Sequence, residues 1–589
     1  MTDMPSSPPP WAHVYPPNLD WQMDAVEKPV YALLDNAAQK EPDCVCIDFM
    51  DRHYTFADML DLANRTARGL QQLGLGRGER VGLCLPNSPY YVAAYFGALK
   101  AGATVVNFNP LYTADEIRDQ IIDADVSIMF TLGLKQIYPK VAAGLQGTNL
   151  RNIVVCSLAD ALPPVKSLLF QTFKRSEIAE TPLNLQNLPF EWLTRNRGNY
   201  QPVEIDPISE VALLQYTGGT TGVPKGAMLT HANIMTNTEQ VRSWLIHANN
   251  HSQTNQTHNG LSDDEPGGEC ILAALPFFHV FAMTVVMCLG LRIRAKQIVL
   301  PRFDLDQVLK VIDAKRPTLF PAVPTIYSAI NGHAHTQRYD LTSIRHCLSG
   351  GAPLPLKIRT SFEKLTGCVL VEGYGLSETS PVACCNPPWG DNKAGSVGIP
   401  LPGTFVEIRD IANPSRTVPL GERGEIVIRG PQVMAGYWRR KEATRDAFEG
   451  RWLRTGDIGH MDEDGYVFLT DRMNDVINSG GYKIYLRIIE EALYKHPDVQ
   501  EAVVIAIPHG YRGEAPKAFV KLVDGSNLDV DHLMAFCADH LNPIERPDEI
   551  EFRDELPKTL IGKLSKKELV EEEKQKRLHN NRTKEPDDG

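Results

Sequence analysis

Four glycines, three threonines and one lysine fall within the eleven positions 216–226, and that mixture has the chemistry of an anion loop. Gly218, Gly219, Gly222 and Gly226 let backbone N–H groups approach a phosphate with no Cβ in the way. The hydroxyls of Thr217, Thr220 and Thr221 donate to phosphate oxygens or ligate a metal, and Lys225 supplies a mobile positive charge. The apolar run 211–216 ahead of the loop predicts a buried strand, and Leu229 onward predicts the start of a helix. A Gly/Thr surface turn rarely carries a lysine directly after such a strand. A Walker P-loop is excluded, because Lys225 is preceded by Pro224 and followed by Gly226 rather than by Ser or Thr.

Other stretches carry chemistry further along. Leu348-Ser-Gly-Gly-Ala-Pro-Leu354 reads as a tight turn, Glu372-Gly-Tyr-Gly-Leu-Ser-Glu-Thr379 combines glycines, an aromatic ring and two carboxylates, and Trp452-Leu-Arg-Thr-Gly-Asp457 ends on an aspartate. Asp471-Arg472 and Leu556-Pro-Lys-Thr-Leu-Ile-Gly-Lys563 follow. In this order and at about these spacings, the set resembles the adenylate-forming enzymes, the superfamily of acyl-CoA synthetases, luciferases and peptide-synthetase adenylation domains. The resemblance runs from Tyr54 to Leu569. Within the superfamily it is to medium- and long-chain fatty acyl-CoA ligases of the bacterial type, carried by Leu85-Pro-Asn-Ser-Pro89, Asn107-Phe-Asn-Pro-Leu-Tyr-Thr113, Leu275-Pro-Phe-Phe-His-Val-Phe-Ala282 and Glu501-Ala-Val-Val-Ile-Ala-Ile-Pro508.

What the resemblance implies is a two-step ligase using ATP, Mg²⁺ and coenzyme A on a fatty acid. A carboxylate attacks the α-phosphorus, pyrophosphate leaves, and the coenzyme A thiol then takes the acyl group. The loop of Thr217, Gly218, Gly219, Thr220, Thr221, Gly222 and Lys225 would hold the β- and γ-phosphates. Gly351 and Ala352 would border adenine and the acyl group, and Glu372, Gly373, Tyr374, Gly375 and Ser377 would line the nucleotide, with the Tyr374 ring stacked on the base. Glu378, with Thr217, would hold Mg²⁺, a hard cation suited to oxygen ligands. Asp457 would accept from the ribose hydroxyls, Arg472 and Lys483 would add local positive charge, and Lys563 would be the catalytic lysine shared by carboxylate and α-phosphate. The family's small domain rotates between the two steps. An aryl or aminoacyl adenylating enzyme would share every ATP residue. A non-catalytic acyl-binding relative is the rival from another class, and intact Lys563, Glu378 and Asp457 stand against it. Three positions depart from the family: Asn474 at the hinge, where relatives have Asp or Lys, and Leu486 and Ile488, where they have Pro and Glu.

These residues need a scaffold larger than one core. A chain of 589 residues predicts at least two domains. Apolar runs alternate with helical patterns: 80–85 strand-like, 90–101 an amphipathic helix, then strands at 104–108 and 128–130. That rhythm predicts stacked α/β units with mostly parallel sheets. From Gly395 to Gly430 short β-like segments predict a small barrel-like subdomain. The expected organisation is an extension over 1–30, a large AMP-binding domain over 31–471, a small mobile α+β domain over 472–570 and a charged, disordered tail over 571–589.

The net charge of −12 argues against nucleic acid as a partner. Eleven cysteines without a Cys-x-x-Cys pair suit reduced thiols in a cytoplasm. Residues 271–291 carry no formal charge, but Pro276 and His279 interrupt them and favour a strand running into a buried helix over a membrane span. Residues 160–176 form a basic amphipathic pattern that suits a membrane surface and the protein's own body equally. Residues 248–268 read as an exposed polar loop. Peripheral contact with a membrane's inner face and association into a homodimer both stay open.

Overall fold

The structure, a computed structural model, describes residues 8–182, 184–217, 224–247, 268–473, 475–479, 482–510, 512–559 and 562–582. Its largest sheet has seven strands in the order Asn187–Pro189, Asn152–Cys156, Val126–Leu132, Arg80–Cys84, Thr104–Asn107, Val211–Thr217 and Lys225–Thr230. All neighbours are parallel except the last pair. Strands such as Val126–Leu132 are buried at every residue, as a sheet covered on both faces requires. The helix Pro89–Lys100, expected to be amphipathic, is buried all round. Its small residues let it lie deep: Gly97 sits so close to Thr66 that a Cβ would stand 2.6 Å from that side chain.

A second sheet pairs Cys270–Ala273, Lys296–Val299, Val45–Phe49 and Arg52–Thr55, and a third pairs His346–Ser349, Val369–Gly375, Val382–Cys385 and Ile399–Pro400. Leu319 bridges the two in parallel, contacting Ile271 on one side and His346 on the other. The antiparallel subdomain comprises Phe405–Arg409, Gly424–Arg429, Phe448–Glu449, Trp452–Met461 and Val467–Arg472. The first residues pack on this body: Trp11 is buried, and the Tyr15 hydroxyl donates to Pro400 O at 2.5 Å.

One expectation fails directly after the anion loop. Leu229 lies in the strand Lys225–Thr230, and the helix begins at His231. The chain leaving the loop turns back along the strand that entered it, with Tyr216 opposite Gly226 and Leu213 opposite Leu229. The loop therefore closes a hairpin, and the return limb's N–H groups belong to the ladder rather than to a helix terminus. Residues 218–223 and 248–267 lie outside the described residues.

Residues 271–291 do pass from strand into helix. The strand Cys270–Ala273 is followed by Val280–Ala282, a π-helical turn Met283–Cys288 and Leu289–Arg292, with Met283 and Phe277 fully buried in the core. Among the described residues no helix is long and apolar enough to cross a membrane.

The small domain has its own core, with Ile489, Leu493, Val504 and Leu533 fully buried between the helices Leu486–Tyr494 and Val530–His540 and a five-stranded sheet. Leu486 belongs to that core and Ile488 packs at its edge, so both departures from the family are apolar residues in apolar surroundings. Asn474 lies outside the described residues. The disordered tail is a second correction: residues 571–582 continue the helix Lys566–Arg582. Tertiary contacts hold what charge alone would leave unfolded. Leu569 is buried against Val503, Ile505 and Phe519, and Lys517 Nζ donates to Glu573 at 2.9 Å in a buried pair.

Candidate active site

The site lies where strand ends of the large domain meet a turn of the small one. Strand Val369–Gly375 runs parallel to His346–Ser349, with Ser349 opposite Glu372, and its carboxyl end carries Tyr374. Ligands of open α/β sheets gather at this end of the strands. The Tyr374 hydroxyl donates to Asp457 Oδ2 at 2.6 Å, and Arg472 Nε lies 3.3 Å from Asp457 Oδ1. Asp457 and Arg472 face each other across the strand pair Trp452–Met461 and Val467–Arg472. Burial raises the Asp457 carboxyl, and the Arg472 charge opposes that rise. The ring of Tyr374 is thereby anchored by its hydroxyl.

A short turn, Ser377–Thr379, places Glu378 next. Its carboxylate is half-buried and accepts from the Tyr437 hydroxyl at 2.8 Å. Lys225 Nζ sits 5.2 Å from the centre of that same tyrosine ring, a cation–π distance. Tyr437, which is not among the residues expected at the site, thus joins the anion loop's lysine to the carboxylate. Gly436-Tyr437-Trp438 offers no signal of its own, because the tyrosine matters through residues 59 positions away. Thr217 closes the hairpin through a long bond from Oγ1 to Lys225 O, 3.4 Å. Gly218, Gly219, Thr220, Thr221 and Gly222 lie outside the described residues.

Lys563 arrives from the small domain. Gly351 has φ +83°, and a Cβ on it would stand 2.5 Å from Lys563 Cε and 3.1 Å from Nζ. The lysine stem therefore lies directly on the glycine, which both the positive φ and the close approach demand. Desolvation, with the Arg472 charge added, lowers Lys563 to about 8, while Asp457 pulls the other way. His279 is pushed down to about 3 by burial and then by Lys563, so it stands neutral beside the lysine. Its Nδ1 accepts from Phe281 N–H at 3.3 Å, leaving the ring proton on Nε2.

The remaining predicted residues divide. Ala352 adjoins Gly351, and Gly373, Gly375 and Ser377 flank Tyr374 and Glu378 along one stretch of chain. Glu372 is buried and its carboxyl is raised to about 7 by that burial, opposed by Arg487 of the small domain and by a bond from Leu354 N–H. It faces the domain junction. Lys483 stands exposed on the small domain's edge strand Tyr482–Ile484, opposite Asn478, and none of the contacts above reaches it.

Further contacts among the described residues join the small domain to the large one in this pose. Lys357 Nζ donates to Pro497 O, the Arg423 guanidinium lies 5.3 Å from the Tyr485 ring centre, and Thr325 Oγ1 donates to Gly562 O at 2.6 Å.

Among the described residues no three His, Cys, Asp or Glu side chains group as a metal cage. Mg²⁺ characteristically keeps several waters and takes one or two carboxylates plus substrate phosphates. One half-buried carboxylate, Glu378, joined through Tyr437 to the loop lysine, fits that habit.

Strand ends of one domain closed over by a lysine from another give the molecule the form of a two-domain nucleotide-dependent enzyme. The family described as AMP-binding enzyme matches residues 34–438, and its C-terminal domain matches residues 488–563, so the chain belongs to the AMP-binding enzyme family. It is 42% identical over 567 residues to a long-chain-fatty-acid–CoA ligase of Bacillus subtilis (strain 168), covering 96% of this chain and 98% of that relative. A ligase of the same name from Salmonella typhimurium (strain LT2) is 34% identical over 574 residues, 95% of this chain and 98% of the relative. Among solved structures, an anthranilate CoA ligase in complex with anthranoyl-AMP superposes with a TM-score of 0.81 at 26% identity, covering 94% of this chain and 98% of that one.

Proposed function

We propose that this protein is an AMP-forming ligase that uses ATP and Mg²⁺ to activate long-chain fatty acids as acyl-adenylates and passes the acyl group to coenzyme A. The observation that carries the reading is the placement of Lys563 over Gly351, in the field of Asp457 and Arg472.

In this reading Asp457, fixed by Tyr374 and Arg472, accepts from the ribose hydroxyls. The Tyr374 ring packs on adenine beside Gly351 and Ala352, and Glu372, Gly373, Gly375 and Ser377 shape the same wall. Lys225 and the loop 217–222 hold the pyrophosphate oxygens. Glu378 with Thr217 would hold Mg²⁺, which would supply charge neutralisation for the phosphates. Lys563 binds the fatty carboxylate and the α-phosphate together, cancelling their repulsion and holding the attacking oxygen in line. A carboxylate oxygen then bonds to the α-phosphorus as its bond to the pyrophosphate oxygen breaks. In the second step the small domain swings aside. The coenzyme A sulfur bonds to the acyl carbon, AMP departs from it, and the thiol proton passes to solvent or a base. Lys483 and Arg472 belong to the surface that this motion presents.

Pyrophosphate release measured across carboxylic acids of increasing chain length tests the substrate class. Long-chain acids are expected to show the highest kcat/KM. Turnover confined to aryl acids such as anthranilate would replace the reading with an aryl-CoA ligase.

We also propose that the helix Pro164–Phe173 rests on the inner face of a cell membrane. None of its residues is buried, and Val165, Leu168 and Phe173 are 72%, 67% and 76% exposed. Large exposed apolar groups gathered in one place mark an interaction surface. Lys166 is paired with Asp51, and Lys174 with Glu177 at 2.6 Å, so the attraction is mostly apolar and only weakly salt-dependent. Leu168→Ser with Phe173→Ser is expected to weaken binding to phosphatidylglycerol vesicles, read by co-sedimentation, by at least about thirtyfold, each apolar side chain contributing roughly 1–3 kcal/mol, while leaving turnover of a detergent-dispersed acid intact. Unchanged sedimentation together with a wild-type dimer that the variant turns monomeric would assign the face to a second copy instead.

A further inference from the structure

Thr325 lies at the second position of the large-domain helix Pro324–Gly332, half-buried, and its hydroxyl donates to the carbonyl oxygen of Gly562 at 2.6 Å. Gly562 immediately precedes Lys563. It has φ +80°, and a Cβ there would stand 3.1 Å from Thr325 Oγ1 and 3.3 Å from Val323 Cγ2, so the two domains touch at this peptide with little room. The turn that carries the lysine is otherwise held together by bonds within the small domain. Thr559 N–H donates to Lys563 O at 2.6 Å, Gly562 N–H to Thr559 O at 2.8 Å, Lys563 N–H to Thr559 Oγ1 at 3.1 Å, and Ser565 N–H to Pro557 O at 2.8 Å. Lys558 ties the base of the turn to the buried carboxylate of Glu501 at 2.6 Å. Those contacts set the shape of the turn and say nothing of where it stands over the large domain. The bond from Thr325 does that, one peptide from the lysine.

We infer that Thr325 is a positioning residue for the adenylation step, its hydroxyl clasping the Gly562 carbonyl so that Lys563 is held over Gly351 while the small domain is closed. The inference rests on the proposed role of Lys563. A lysine has a long flexible stem, and a reacting group must be held to within about 0.5 Å to be fully effective. Anchoring the backbone at the adjoining peptide removes the slack that the stem cannot. Because the clasp joins two domains, it exists only in the closed pose and is broken when the small domain moves for thioester formation. A hydroxyl–carbonyl bond suits this use: it is directional, uncharged and readily exchanged for water.

The test uses the full-length enzyme and separates the two half-reactions: pyrophosphate release from ATP and palmitate in a single turnover, and thioester formation from supplied palmitoyl-adenylate and coenzyme A. Thr325→Val, nearly the same shape without the donor, is expected to slow the first about 10- to 100-fold, with KM for ATP little changed, and to leave the second within about twofold. Thr325→Ser, which keeps the hydroxyl, is expected to restore the first. Equal losses in both half-reactions, or a loss that serine does not rescue, would make Thr325 a structural residue and overturn the inference. Lys563→Ala run beside them separates the levels. If it leaves pyrophosphate release intact, the role of Lys563 itself is wrong; if it abolishes release while Thr325→Val behaves as wild type, this inference alone falls.

Discussion

Lys563→Ala is expected to slow pyrophosphate release from ATP and a fatty acid by at least 10²–10³-fold, while thioester formation from supplied acyl-adenylate stays within a few-fold of wild type. A preorganised donor aimed at developing charge in a water-poor site contributes about 3–4 kcal/mol, and here one ammonium is shared between two anions that would otherwise repel. The same residue predicts a pH dependence. Desolvation and then the Arg472 charge lower Lys563 to about 8, so in the free enzyme the ammonium is present below that pH and lost above it. The kcat/KM of adenylation, which reports the free enzyme, should fall as pH rises through about 8. Lys563→Arg, whose guanidinium does not deprotonate in this range, should be slower at neutral pH but lack that alkaline limb. Near wild-type pyrophosphate release from the alanine variant would remove the assignment, and an alkaline limb that survives in the arginine variant would assign it to another group.

Glu378→Gln is expected to reduce turnover by about 10²-fold or more and to shift the Mg²⁺ dependence to higher concentration, with little change in melting temperature. The amide keeps the side chain's shape, and its carbonyl oxygen can still accept from the Tyr437 hydroxyl, so the fold loses little. What it removes is the negative charge at a hard-cation site, where a neutral oxygen is a poor replacement. A Mg²⁺ titration of pyrophosphate release beside a thermal melt distinguishes the outcomes. A variant whose activity and melting temperature fall together would make Glu378 a structural partner of Tyr437 and Met434, whose N–H donates to the Glu378 carbonyl at 2.8 Å.

Much of the scaffold was legible because its signals are local. Apolar runs such as 80–84 and 211–216 had to be buried strands, and the Pro276 and His279 interruption correctly separated a core segment from a membrane span. The helix expected from Leu229 shows where local reading stops. A short run of mixed apolar and polar residues suits either a helix or a strand, and the hairpin ladder from Val211 to Thr230 decided in favour of the strand. Residues 571–582 show the opposite error. Their charge predicts disorder, yet the neighbouring buried Leu569 and the pair of Glu573 with Lys517 supply contacts that no window of the tail contains. Residues 160–176 were ambiguous for the same reason: the fold buries Leu162 and packs Phe170 on the core yet leaves Val165, Leu168 and Phe173 exposed, a division that the periodicity alone does not contain.

By itself the sequence determined the chemical inventory and its order: a glycine- and threonine-rich anion loop, an aromatic beside glycines, two spaced carboxylates and a late lysine, each a local pattern with a local chemical reason. The tertiary structure alone decided which of these meet. Tyr374 donates to a carboxylate 83 positions on, Tyr437 links Glu378 to Lys225, and Thr325 grips a carbonyl 237 positions away. Such pairings follow from how sheets, helices and two domains pack their surfaces, and a residue's type and near neighbours carry no information about a partner that packing brings to it from so far along the chain.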